Sequence, residues 1–168
     1  IYAAHTNFDA IRNGVNGKIC DIIGLENQKI LDPVTGNLKK LVVFVPEDHA
    51  DKVREAIFKG GGGVIGNYDS CSYNINGKGT FRGGEDTDPF VGEKGKLHTE
   101  PEVRIETIFP EHLKGSVISS MLQSHPYEEV AYDVYPLDNK YHQAGMGMIG
   151  ELPTEIPENE FLTRLKSA

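Results

Sequence analysis

No block of lysine or arginine, no Cys-x-x-Cys pair and no long apolar run occurs in this chain. The first absence bears on partners. There are 17 basic and 25 acidic residues, for a formal net charge of -8. Lys39-Lys40 and the Arg164/Lys166 pair are scattered rather than aligned. Nucleic acid needs a clustered basic surface, so neither nucleic acid nor an anionic membrane is expected as a partner. A small anionic ligand held by backbone NH groups or metal ions stays open. The only cysteines, Cys20 and Cys71, are far apart and have no acid or histidine placed to activate them. They read as ordinary thiols of a reducing compartment. With no signal-peptide pattern or membrane-length apolar run, a cytoplasmic location is the expectation.

What is present supports folding. Hydrophobic residues make up 38% of the 168 positions, enough for a core in one full domain or in a small domain with pieces of another. Nineteen glycines and nine prolines predict numerous shaped loops. Ile1-Tyr2-Ala3-Ala4 reads as a strand caught mid-way, and Glu158 to Ala168 as an amphipathic helix cut at its end. Both edges predict a segment of a longer protein.

Along the chain, His5-Thr6-Asn7-Phe8-Asp9 reads as a polar turn, and residues 16–24 as a short helix. Leu25 to Lys40 looks like a linker, with turn signals at Asp32-Pro33 and Gly36-Asn37. Leu41–Val45 is a buried strand by composition. Glu47-Asp48 then open a helix with acids in its first turn, and Gly60–Gly63 stop it. Residues 67–82 predict a hairpin turning at Asn76-Gly77. Gly83 to Thr99 is a Gly/Asp/Glu-rich excursion. Val103, Ile105, Thr107 and Phe109 alternate as one strand face. The next helix starts at Pro110-Glu111, with Leu113, Val117, Ile118, Met121 and Leu122 inward, and Val130–Pro136 forms the last strand. The order strand, helix, strand, strand, strand, helix, strand predicts an α+β, ferredoxin-like (βαββαβ) domain with both helices on one face. After Leu137 the glycine-rich Tyr141–Gly150 reads as re-entry into a different domain. The predicted boundaries are 1–38, 39–140 and 141–168.

Two segments carry candidate chemistry. His5 and Asp9 follow a strand end, where ligands bind in open α/β sheets, and both residue types are metal ligands. The plainer alternative is that Asp9 caps the following helix and His5 bonds the backbone. His125-Pro126-Tyr127-Glu128-Glu129 offers an imidazole, a phenol and two carboxylates as ligand or interface groups. Its alternative is a structural turn, since adjacent Glu128 and Glu129 point to opposite faces of an extended chain. Gly60–Gly63 lacks a GK[ST] ending and a following helix, so it is not a phosphate loop. Gly145-Met-Gly147-Met-Ile-Gly150 lacks the strand and helix of a dinucleotide site. Glu85, Asp86, Asp88 and Glu93 lack calcium-loop spacing, which leaves a solvated loop or a subunit contact.

The ordered runs Ala4-His5-Thr6-Asn7-Phe8-Asp9, Val45-Pro46-Glu47, Gly63-Val-Ile-Gly66-Asn67-Tyr68, Gly77-Lys-Gly79-Thr80-Phe81, Arg104-Ile-Glu106 and His125-Pro126-Tyr127-Glu128-Glu129-Val-Ala-Tyr132-Asp133 resemble the dinuclear metal centre hexameric family. Its members are also described as NIF-three-like or GTP cyclohydrolase 1 type 2 homologues. The resemblance implies a PII/CutA1-like insert flanked by pieces of an outer α/β metal-binding domain. It implies two divalent transition-metal ions per subunit, with zinc, iron and manganese not distinguished. Asp9 would be one ligand, with His5 as a ligand or a group beside it. It implies a hydrolase-like activity, self-association into a toroidal hexamer and a small nucleotide-like ligand. A PII-like sensing or assembly module without catalysis is the alternative. The family's His-His-Pro segment and its C-terminal His and Glu have no counterpart in this sequence. A lone Asp9 cannot hold two metals, so the chain by itself is expected to be inactive at that centre.

Overall fold

The computed structural model describes residue 3 and residues 5–167. The strand read in Ile1–Ala4 lies outside the described residues, apart from Ala3, which has no regular structure. The elements in chain order are α1 (Thr6–Ala10), α2 (Val15–Ile23), β1 (Glu26–Val34), β2 (Leu38–Pro46), α3 (Ala50–Lys59), β3 (Tyr73–Phe81), β4 (His98–Pro110), α4 (Lys114–Ser124), β5 (Tyr132–Leu137), β6 (Tyr141–Glu151) and α5 (Glu158–Ser167). Single 3-10 turns at Glu47–His49 and Glu111–Leu113 lead into α3 and α4. They divide into two compact units. One is Asn37–Asp138; the other joins residues up to Gly36 with those from Asn139. Among the described residues no helix is long and apolar enough to cross a membrane.

Unit Asn37–Asp138 is a βαββαβ fold with an antiparallel sheet in the order β3-β4-β2-β5. That is the ferredoxin-like arrangement. Strand alternation explains its layers. Leu41, Val43 and Val45 of β2 and Val103, Ile105 and Phe109 of β4 face one way. Ala50, Val53 and Ile57 of α3 and Val117 and Met121 of α4 cover them. Each large buried side chain contributes roughly 1.5–3 kcal/mol, so this layer holds the unit together. Leu122, expected inward, is 42% exposed on the far side of α4.

The Gly60–Gly63 run has a packing cause. A Cβ on Gly60 would sit 2.9 Å from the Val117 Cα, so the end of α3 approaches the α4 backbone. Gly61 and Gly63 have φ of 102° and 83°, which only glycine adopts cheaply. The Gly63 N–H then donates to the Ile108 carbonyl at 2.8 Å and ties the turn to β4.

Local readings are corrected at three segments, Asn76-Gly77, Leu25 to Lys40 and His5 to Asp9. Asn76-Gly77 is not a turn: β3 runs straight through it, pairing Asn76 with Val103 and Gly77 with Glu102. The long β4 neighbour fixes this stretch as strand, overriding the local turn preference. The hairpin connection is instead residues 82–97. Leu25 to Lys40 is not a linker, since it holds β1 and the start of β2. Tyr141–Gly150 is β6, which pairs antiparallel with β1. This two-stranded sheet is mostly exposed and polar, so it lacks a clean apolar alternation. The His5–Asp9 turn is mainly the short helix α1. In the same unit, Cys20, Ile23 and Ile30 are buried, while Ile19 and Ile22 of α2 stay about half exposed.

Candidate functional site

The sheet of unit Asn37–Asp138 buries one face under its helices. On the opposite face β4 presents its even-numbered residues. Across the strands Phe44 and Ile75 flank Arg104, Gly77 lies opposite Glu102, and Phe81 opposite His98. The 82–97 connection folds over this surface and brings Thr87, Pro89 and Phe90. The turn after α4 brings Tyr127, Glu128 and Glu129. Together they line an open-mouthed cavity of about 540 Å³, within the size range of small-molecule sites.

Four aromatic side chains, Phe44, Phe81, Phe90 and Tyr127, stand in its walls. Tyr127 stands 6.1 Å from Phe81 and 6.2 Å from Phe90, centroid to centroid. Phe90 is braced edge-on by His49 at 5.4 Å, and Phe81 meets His98 in a tilted contact at 5.3 Å. One carboxylate sits among these rings. Glu102 is only 7% exposed. The Tyr127 hydroxyl donates to its Oε1 at 2.9 Å. Burial and the Glu102 carboxylate push the Tyr127 phenol far above its ordinary value, so it remains a neutral donor. The Glu102 Oε2 occupies the space a side chain on Gly79 would need: a Cβ there would lie 2.1 Å away. Gly79 is therefore glycine to make room for a carboxylate.

The neighbouring charges are already matched. Arg104 donates to Glu106 at 2.8 Å, and so does Lys40. The Lys40 hydrogen bond, opposed by partial burial, holds the Glu106 carboxyl below its ordinary value. Glu128 accepts the Asp88 N–H at 2.8 Å and so ties the 82–97 connection to the turn after α4. Glu129 is exposed and also lines the cavity.

His125 is a positioning group. It is 8% exposed. Its Nε2–H donates to the Phe44 carbonyl at 3.0 Å, and its Nδ1 accepts the Tyr127 N–H at 3.1 Å. Burial lowers its proton affinity, partly offset by the Phe44 bond and reinforced by nearby His49. Both ring nitrogens serve the backbone, so His125 is not offered to a ligand. It orients the Tyr127 ring 5.0 Å away.

His5 and Asp9 lie in the other unit and are exposed. The His5 Nδ1 is 3.3 Å from the Thr6 hydroxyl. The Asp9 carbonyl accepts from Asn16 at 2.9 Å. Gly14 is the residue at the N-cap of α2, so Asp9 does not cap it. Among the described residues no three His, Cys, Asp or Glu side chains converge to hold a metal ion. His5 and Asp9 do not make a metal site by themselves.

Sequence reasoning found Tyr127, Glu128 and Glu129 but missed Glu102, Phe81, Phe90 and Gly79. One signal was available. Extending the Val103–Phe109 alternation backwards puts Glu102 on the face away from the core, opposite the small residues of Gly77-Lys-Gly79.

The sequence matches the Duf34/NIF3 (NGG1p interacting factor 3) family across residues 1–168. The chain belongs to the Duf34/NIF3 family. It is 48% identical over 169 residues to a "GTP cyclohydrolase 1 type 2 homolog" of Halalkalibacterium halodurans, covering 100% of this chain and 45% of that protein. A Bacillus subtilis protein of the same description is 41% identical, with 99% and 45% covered. A crystal structure of a Bacillus cereus protein related to NIF3 is 46% identical, with a TM-score of 0.83 over 99% of this chain and 44% of that one. This NIF3 chain thus spans less than half the length of the relatives it matches.

Proposed function

We propose that this chain is part of a divalent-metal-dependent, hydrolase-like NIF3 protein of the kind its relatives' description, GTP cyclohydrolase 1 type 2 homolog, indicates. In this reading Asp9 is one metal ligand, with His5 beside it. Residues 1–38 and 141–168 are pieces of the metal-binding domain. The remaining ligands lie outside these 168 residues. Assembly into a hexameric ring in the cytoplasm belongs to the same reading. The observation that carries it is the family match over every residue at less than half the relatives' length. The test is metal analysis of a longer protein bearing this segment, purified without chelator. Stoichiometric divalent transition metal, reduced in Asp9→Asn with the fold intact, is expected. A metal-free protein removes the reading.

The cavity favours a second reading for unit Asn37–Asp138, that of a small-molecule-binding module in the manner of a sensing domain. A ring-lined space of about 540 Å³ around one buried carboxylate supports it. Binding of small aromatic compounds to the 168-residue chain tests it, and no binding of any such compound refutes it.

A further inference from the structure

Resting on that second reading, we propose that the cavity between Phe81, Phe90 and Tyr127 takes a small organic cation, an ammonium group carried on an apolar or aromatic body, with Glu102 as its counter-ion.

Three observations converge on this class. First, the Glu102 carboxylate is spoken for on one side only. Its Oε1 accepts the Tyr127 hydroxyl, while its Oε2 receives no hydrogen bond among the described residues. No described buried side-chain oxygen is both sealed from solvent and unpaired, and Glu102 lines the cavity. A buried carboxylate is costly unless it gains a donor or a positive charge.

Second, the donors nearby do not supply that charge. The Tyr127 phenol is neutral. Arg104 and Lys40 are both engaged with Glu106. Lys78 and Arg82 also line the cavity, Arg82 exposed at the end of β3, and neither makes an ion pair with Glu102 among the described residues. The positive charge missing at Oε2 is one a ligand would bring. Glu128 and Glu129 stand at the edge of the cavity, with Lys78, Arg82 and Arg104 also in its lining, while Glu102 is the buried charge.

Third, the cavity that holds this carboxylate is also lined by aromatic rings. Tyr127, which bonds the carboxylate, stands 6.1 Å from Phe81 and 6.2 Å from Phe90, and all three rings line the same cavity as Glu102. Aromatic faces attract ammonium groups within about 6 Å, most strongly when water is excluded. The absence of a Cβ at Gly79 keeps Oε2 in place. Phe44, Ile75 and Pro89 provide apolar wall for the ligand's body.

The test uses the 168-residue chain and three probes of nearly one shape: phenethylammonium, 2-phenylethanol and phenylacetate. Ligand-observed NMR titration gives the affinities. Phenethylammonium is expected to bind best, and Glu102→Gln to weaken it by about tenfold or more, with 2-phenylethanol nearly unchanged. Phe90→Ala, at an exposed ring, is expected to weaken the ammonium probe as well, and serves if Glu102→Gln does not fold. If 2-phenylethanol or phenylacetate binds the native chain as well as phenethylammonium does, the cavity is a binding site and the cationic class is overturned. If none of the three binds, both the class and the sensing reading fall.

Discussion

Two glycines two residues apart on β3 provide a sharp test of the site's geometry, because alanine should have opposite effects at them. Neither has positive φ among the described residues, so alanine is tolerated by the backbone at both. Restricting the unfolded chain then favours the folded state by about 0.4–1 kcal/mol. At Gly77 nothing lies within 4 Å of the added Cβ, and Gly77→Ala should keep that gain. At Gly79 the Cβ would stand 2.1 Å from the Glu102 Oε2 and 2.6 Å from its Cδ. Ordinary contact needs roughly 3.4 Å, so the carboxylate must retreat by about 1 Å. The 2.9 Å bond from Tyr127 is then stretched past useful length. A hydrogen bond to a charged group is worth about 1.5–3 kcal/mol. After the backbone gain, Gly79→Ala should lose roughly 1–2 kcal/mol. Urea unfolding followed by circular dichroism measures both variants. If Gly79→Ala is as stable as Gly77→Ala, Glu102 does not occupy the place assigned to it.

Two further outcomes follow from the packing. Burial lowers the His125 proton affinity in the folded state. Its contribution to stability is therefore complete above the unfolded value near 6.5 and is lost as pH falls from there toward the lower folded value. An NMR titration should place the His125 midpoint below 6.5, and a midpoint at or above it contradicts the buried, neutral ring. Phe109, 1% exposed, should cost about 3–5 kcal/mol when changed to Ala. Leu122, 42% exposed, should cost under about 1 kcal/mol. Equal losses in urea unfolding would mean the core is misassigned.

The ferredoxin-like unit was readable because its core strands and helices repeat their apolar residues at the right period. Val103, Ile105 and Phe109 alternate, and Val53 with Ile57, and Val117 with Met121, recur at helical spacing. The β1–β6 pair was not readable. Its partners, such as Glu26 and Glu151, are far apart in sequence, and exposed strands with one neighbour need no apolar pattern. Asn76-Gly77 misled for a related reason: turn chemistry is local, whereas pairing with β4 is not. His125 to Glu129 drew attention as a cluster, and the structure divides it. His125 holds the backbone, Tyr127 faces the cavity, and Glu128 fastens the 82–97 connection. Glu102 looked like one more surface acid on a strand. Its burial arises only when Tyr127 and the 82–97 connection fold over it, a contact that no local pattern encodes.

The most direct check on the ligand cavity is a nitrogen-15 chemical-shift titration of the whole chain with phenethylammonium. The amides of Gly77, Gly79, Phe81, Phe90 and Tyr127, which line the space, should move together and saturate along one binding curve. Shifts confined to residues 5–36 or 139–167, or scattered without saturation, would contradict the assignment of this cavity as the site.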